Sequence, residues 1–178
     1  YYFMCHMDVY QGKNDHNAYI DKVAAELPTT QKAVINAICK TGLDMVAPEG
    51  YRYLASDNKY NCNELLAIMR DKCRVFGGGT KRRKRKGFDC EQLNMTKATS
   101  ERGEFKLLYD PRNEIINGQW RDSKVVAFAS SVTDPTVTEI FRQIKNKKLP
   151  FPCPSVLVQY QRTMFGVCLL YTSPSPRD

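Results

Sequence analysis

Six consecutive basic residues, Lys81–Lys86, constrain the fold of this 178-residue chain more than any other feature of its sequence. Adjacent like charges repel each other and are costly to bury, so the segment is expected at the surface. The formal net charge is +8, and the run supplies most of it. A polyanion such as nucleic acid is its natural partner, because phosphate neutralisation releases counterions. A solvated loop and a nuclear-localisation signal fit the run equally well when it is taken alone.

Length and composition indicate an ordinary globular domain, with or without an insertion. Apolar residues make up 42% of the chain and charged residues 26%. The longest nearly uncharged apolar runs, such as Val125–Val132, are too short to cross a bilayer, so no membrane partner is expected. The seven cysteines include no CxxC pair, which gives structural zinc little support and fits a reducing compartment.

The first half of the chain predicts alternating helices and strands. Apolar spacing indicates a helix over about 30–41, and a strand over 50–57 ends on a carboxylate. Asn61 is predicted to cap the next helix, with Glu64 completing a capping box. A short strand over 75–80 follows; its three glycines lack the spacing of a phosphate loop and predict a crowded strand end.

The second half predicts a small β-meander and then a return to helix. Turn residues separate three short strands over 104–109, 114–120 and 124–131. A helix is predicted over 136–145 after Asp-Pro, then a basic, proline-rich connector over 145–154, and a helix over 156–167. Residues 168–178 resemble the translated read-through of a sequencing-library adaptor, so the native sequence is expected to stop at about Val167.

Asp57 is the candidate site residue, because it ends a predicted strand directly before a helix. Hard divalent cations take oxygen ligands, and two-metal phosphoryl transfer places several carboxylates around one cleft. A single carboxylate at a strand end is weak evidence alone, and a turn or capping role is the commoner one.

The segment around Asp57 resembles the central block of piggyBac-type DNA transposases. That family has a strand, then Asp-Asn-x-[Phe/Tyr]-x-[Ser/Cys], a helix with adjacent leucines, and Gly-Thr-x-Arg-x-Asn-Arg-[Lys/Arg]-Gly. This chain supplies Asp57–Cys62, Glu64–Leu66 and Gly79–Phe88 in step and without gaps. It departs from the pattern at Lys84, where the family has Asn, and at Asp89, where Pro is common.

Further blocks occur in the order of that family. Asp8–Lys13 resembles [DE]-V-Y-x-G-K, and Trp120–Val126 with Ser130-Ser131 resembles W-x-D-x-K-x-V…S-[ST]. Pro154–Val156 and Tyr160–Val167 resemble P-x-[VI]…Y-N-x-x-M-x-G-V-D. The resemblance therefore extends over about residues 2–167.

The resemblance implies an α/β fold with an incomplete ribonuclease H-like core and a β-rich insertion. The expected division is core over 1–88, insertion over 89–149, return to a truncated core helix over 150–167, and the adaptor-like tail over 168–178.

The resemblance also implies an enzyme family that cuts and joins DNA strands with two Mg²⁺ ions held by three aspartates. Asp57 matches the second aspartate and is the implied catalytic and metal-binding residue. The first would lie before Tyr1, and Cys168 occupies the position of the third. This polypeptide alone is therefore expected to be inactive.

The implied partners are DNA, namely transposon ends and a TTAA target, and the implied location is nuclear. The sequence is compatible with a homodimer. Six residues are expected to contact phosphate: Lys81, Arg82, Arg83, Lys84, Arg85 and Lys86. The alternatives are a domesticated, non-catalytic nuclear DNA-binding derivative and a generic RNA-binding module. The RNA-binding alternative is disfavoured, because the sequence has no RNP1-like aromatic pattern.

Overall fold

The computed structural model describes residues 24–40, 52–83 and 90–172. Within them, a five-stranded sheet has the strand order β1-β2-β5-β4-β3, and a separate two-stranded hairpin joins β6 to β7. The strands are β1 (Arg52–Ser56), β2 (Val75–Thr80), β3 (Phe105–Asp110), β4 (Ile115–Arg121), β5 (Val125–Ser130), β6 (Val137–Ile144) and β7 (Lys147–Pro154). The helices are α1 (Thr29–Lys40), α2 (Asn63–Cys73), the short α3 (Cys90–Leu93) and α4 (Ser155–Thr172).

The parallel unit β1-α2-β2 forms one end of the described sheet. Arg52 pairs with Val75 at the start of the two strands, and Ser56 pairs with Gly79 near their end. Helix α2 returns the chain between them and buries Leu65 and Met69. The predicted strand–helix–strand order is therefore confirmed, as is the predicted helix that became α1.

The start of α2 differs from the sequence prediction. Cys62, not Asn61, is the N-cap, and its Sγ accepts the backbone N–H of Leu65 at 3.4 Å. Asn61 is buried and donates through Nδ2 to the carbonyl oxygens of Gly79 and Ala129 at 2.7 and 3.3 Å. The predicted cap is wrong because Asn61 joins two strands of the sheet instead.

The three glycines of β2 lie where neighbouring atoms leave no room for a side chain. A Cβ on Gly77 would come within 2.8 Å of the Met69 side chain, and one on Gly78 within 2.7 Å of the Tyr53 hydroxyl. A Cβ on Gly79 would overlap the carbonyl oxygen of Ser56. The crowded strand end predicted from the sequence is confirmed.

The predicted meander is also confirmed, and it continues the same sheet. β3, β4 and β5 pair antiparallel in sequence, and β5 then pairs with β2, with Gly78 opposite Ser130. The hydrogen-bonded sheet thus crosses the position between residues 88 and 89, where a domain boundary was expected.

The segment over 137–154 is a β-hairpin, so the predicted helix and the predicted connector are both wrong. β6 and β7 pair from Val137 opposite Pro154 to Ile144 opposite Lys147, around a two-residue turn. Side chains alternate along β6, with Ile140 half-buried and Phe141 exposed, which is a strand pattern. The prolines of β7 occur at every second position and therefore share one orientation. Proline has no N–H to donate, and it fits the alternate positions of a strand at which the N–H would face away from the partner strand.

Two main clusters form the described core. The first joins α1, α2 and the start of β2 through residues such as Ile35, Leu65 and Val75. The second packs Trp120 and Phe128 against Cys153 and the first turn of α4. Helix α4 confirms the predicted return to helix and continues to Thr172. No helix in the described part of the chain combines the length and apolar character that crossing a membrane requires.

Candidate nucleic-acid interface

Asp57 is the first residue after β1, and its side chain is exposed. Its carbonyl oxygen accepts the N–H groups of Tyr60 and Asn61, both at 3.0 Å, which closes a tight turn before α2. Its carboxylate accepts the Asn58 N–H at 2.5 Å. The predicted placement of a carboxylate at the end of a strand is confirmed, and the turn holds that carboxylate at the surface.

The basic segment leaves the sheet at the same edge as Asp57. β1 and β2 are parallel neighbours, so the residues that follow them emerge together. The Nε of Arg82 donates to Oδ1 of Asn58 at 3.5 Å, which links the two loops directly. We call this region, formed by Asp57, Asn58, Arg82 and Arg83, the strand-end edge.

Lys81 does not take part in the exposed surface. Only 4% of it is accessible, and its Nζ donates to Oδ1 of Asn63 at 2.6 Å and to Oδ1 of Asn117 at 3.2 Å. The expectation that all six cations are exposed is therefore wrong at Lys81. Asn63 in turn donates to Oδ2 of Asp110 at 2.9 Å, so Lys81 joins the end of β2 to α2, β3 and β4.

Arg82 and Arg83 are the exposed members of the basic run in the described residues. The Nη2 of Arg83 donates to the carbonyl oxygen of Met95 at 3.1 Å, which holds the segment against the loop after α3. Lys84, Arg85 and Lys86 lie outside the described residues, as does the Asp8–Lys13 block.

Two carboxylates near the sheet have pKa values below their ordinary range. Burial alone would raise the pKa of Asp110, but hydrogen bonds from Asn113, Asn63 and the backbone N–H of Arg112 outweigh it. For Asp122 the bonds from Arg102 and Arg142 have the same effect. Both groups are therefore charged at neutral pH and already engaged in structural contacts.

The described residues contain no group of three or more His, Cys, Asp or Glu side chains that could hold a metal ion. The carboxylate of Asp57 is a suitable ligand for a hard cation, because it faces solvent directly after the end of a strand. A two-metal site needs several oxygen ligands, and Asp57 is a single carboxylate.

Three aromatic residues of the sheet differ in exposure, and only exposed rings can stack on nucleic-acid bases. Trp120 is 1% exposed and donates through Nε1 to the carbonyl oxygen of Pro152 at 2.9 Å, so it is a packing residue. Tyr109 is 52% exposed, on the outer strand β3. Tyr53 lines a cavity of about 510 Å³ near the start of β1, and burial raises the pKa of its hydroxyl. The cavity is thus at the opposite end of β1 from Asp57.

Sequence reasoning missed the side chains that hold this region together. Asn61, Asn63 and Asn117 are all buried and hydrogen-bonded inside the fold. Asn61, just before α2, and Asn63, its first residue, were a local signal for such a role. The sequence carried no comparable signal for Asn117, because its partner Lys81 is 36 residues away.

The architecture is that of the ribonuclease H-like class of α/β proteins, which confirms the predicted fold class. Among solved structures, the chain is similar to a piggyBac transposase in a cryo-EM structure of its synaptic complex with hairpin DNA. The TM-score is 0.61 at 17% sequence identity, an identity at which the similarity concerns the fold. The match covers 90% of this chain and 29% of that chain, so this chain spans less than a third of that protein. No protein-family model and no curated protein matched the sequence.

Proposed function

We propose that this chain is part of the catalytic region of a piggyBac-like cut-and-paste DNA transposase. The observation that carries the proposal is that Asp57 and the basic segment share one edge of a sheet whose fold is similar to a piggyBac transposase. The motif blocks that contain Asp57 and Trp120 support it, because they follow the family's order along the chain.

The strand-end edge is the proposed DNA contact. Arg82 and Arg83 are exposed there, and three further cations, Lys84, Arg85 and Lys86, follow directly in the sequence. Such contacts bind phosphate and give affinity without reading base sequence. Lys81 is left out of this surface because its ammonium is engaged inside the fold. Its proposed role is to position the end of β2.

Asp57 is the proposed metal ligand, together with further aspartates of the full transposase. A bound pair of Mg²⁺ ions would activate the attacking oxygen and stabilise the leaving oxygen in strand cleavage and transfer. Among the described residues, Asp57 is the carboxylate placed for this role, held at the surface by the turn after β1. One such ligand does not assemble two metals, so we propose that the isolated chain does not cleave DNA.

A domesticated, nuclear DNA-binding protein without catalysis is the second candidate. It is favoured by the exposed cations, which bind phosphate without any metal. Sequencing the parent gene across both ends of this segment separates the two proposals. Aspartates shortly before Tyr1 and directly after Gly166-Val167 would support an active transposase, and residues unable to bind metal would favour the domesticated protein.

A fluorescence anisotropy titration tests the DNA contact. Duplex DNA is expected to bind more tightly than single-stranded RNA, with an affinity that falls steeply with salt. The variant R82Q/R83Q removes two exposed cations. It should reduce the magnitude of the slope of log affinity against log salt concentration by up to about 1.8. The control K72Q/R74Q removes two exposed cations at the far end of α2 and should leave the slope unchanged. Equal slopes for both variants would count against the proposed edge.

Catalysis is tested by incubating the isolated chain with duplex DNA and Mg²⁺, beside the variant D57N. We expect no cleavage above background from either protein. Cleavage by the natural chain that D57N abolishes would show that the isolated chain is active and would overturn the proposed inactivity.

A further inference from the structure

The turn between β6 and β7 carries three exposed lysines within four residues: Lys145, Lys147 and Lys148. Lys145 has a positive φ of 53°, which a tight two-residue turn requires. In the described part of the chain, none of the three forms an ion pair. The Lys148 ammonium lies 5.9 Å from the ring centroid of Phe141, a side chain that is 55% exposed. We call this cluster the hairpin tip.

The hairpin is fixed to the sheet below its tip. Arg142 donates through Nε to Oδ2 of Asp122 at 3.2 Å, and the carbonyl oxygen of Pro152 accepts Trp120 Nε1–H at 2.9 Å. Lys145 lies three residues beyond Arg142, which corresponds to about 10 Å along an extended strand. The tip is therefore an exposed projection on a support that is hydrogen-bonded to the sheet.

The direction of the hairpin follows from its contacts. The segment leading into it begins beside the start of β2, where the N–H of Ser131 donates to the carbonyl oxygen of Gly77 at 2.9 Å. Further along, Arg142 of β6 contacts Asp122, in the turn before β5. That turn lies beyond the end of β2, because Thr80 pairs with Phe128 while β5 begins at Val125. The hairpin thus runs in the same direction as β2, and its tip extends toward the side on which Asp57 and Arg82 emerge.

We propose that the hairpin tip is a second contact with duplex DNA, in which Lys145, Lys147 and Lys148 bind backbone phosphates. The inference rests on the proposed DNA-binding function and adds a separate surface to it. Charge complementarity carries the argument, since three exposed ammonium groups that form no ion pair within the described residues lie on a narrow, anchored ribbon and suit a polyanion. A two-stranded ribbon also has a width that the major groove admits. The strand-end edge and the hairpin tip would then bind one duplex at two points.

The experiment compares three variants of the whole chain by anisotropy titration with duplex DNA over a series of salt concentrations. The tip variant is K145Q/K147Q/K148Q, and the edge variant is R82Q/R83Q. The matched control, K72Q/R74Q/R112Q, removes the same number of exposed cations near the start of β2, at the opposite end of the sheet. Both triple variants remove three charges from a chain with a formal net charge of +8, so any difference between them reflects position.

The tip variant is expected to bind more weakly, by up to about 8-fold per lysine at 0.1 M salt, with a slope flatter by up to about 2.7. The control should retain the natural slope, and K145R/K147R/K148R should retain it too because the charge is kept. Circular dichroism verifies that each variant is folded. If the triple variant unfolds, K147Q provides the same test, with an expected flattening of about 0.9.

Two outcomes separate the inference from the function on which it rests. If the natural chain binds duplex DNA and the edge variant weakens it, but the tip variant matches the control, the hairpin tip is not a DNA contact and the proposed function stands. If the natural chain shows no salt-dependent binding of duplex DNA, the proposed function fails, and this inference fails with it.

Discussion

Replacing Asp122 by Asn is expected to loosen the β6–β7 hairpin from the sheet, because this carboxylate joins Arg102 to Arg142. Its Oδ1 accepts two bonds from Arg102, at 2.6 and 3.0 Å, and its Oδ2 accepts one from Arg142 at 3.2 Å. The three side chains are 19–29% exposed, so water screens them only in part. Charge-assisted hydrogen bonds contribute about 1.5–3 kcal/mol each before screening. We expect D122N to lower the free energy of unfolding by about 1–3 kcal/mol in all.

The pH dependence of this effect has a defined sign. The two arginines hold the pKa of Asp122 below its ordinary value, against the opposing effect of burial. A depressed pKa contributes stability above the pKa of the unfolded chain and loses it as pH falls through the folded value. The difference in free energy of unfolding between the natural chain and D122N should therefore be largest at about pH 7 and shrink below about pH 4.

Urea unfolding followed by circular dichroism measures that difference at each pH. The matched control is D71N, because Asp71 is also paired with an arginine, at 2.7 Å, but is 52% exposed. An exposed pair of this kind is worth less than about 1 kcal/mol. The reasoning is refuted if D122N costs no more than D71N at neutral pH, or if its cost does not change on acidification.

Three further changes test other parts of the fold. G79A should destabilise the chain by more than about 2 kcal/mol in urea unfolding, because the added Cβ overlaps the carbonyl oxygen of Ser56; near-natural stability would contradict the crowding. C62A should cost about 1 kcal/mol in the same assay by removing the acceptor for Leu65 N–H, and C62S should restore part of it; equal values for both variants would argue against the cap. Burial raises the pKa of Cys153 to about 12, so iodoacetamide at mildly alkaline pH should label this thiol only after unfolding, as mass spectrometry of the native and denatured chain would show.

The elements that the sequence determined are those with strong local patterns. Helical spacing defined α1 and α2, and turn residues separated the strands of the meander. The glycines of β2 predicted a close approach of two backbones, and the backbone of Ser56 makes that approach at Gly79. Asp57 was placed correctly because a strand that ends on a carboxylate before a helix is a local arrangement.

Tertiary structure alone decided the features that depend on distant partners. The segment over 137–154 is a hairpin because two weakly patterned strands pair with each other, and neither pattern suffices by itself. Lys81 is buried because Asn63 and Asn117 approach its ammonium from α2 and β4, although its neighbours in the run are exposed. A run of like charges predicts the average environment of its members. The hydrogen-bond partners that the fold brings to each residue determine its own environment, and the sequence does not specify them locally.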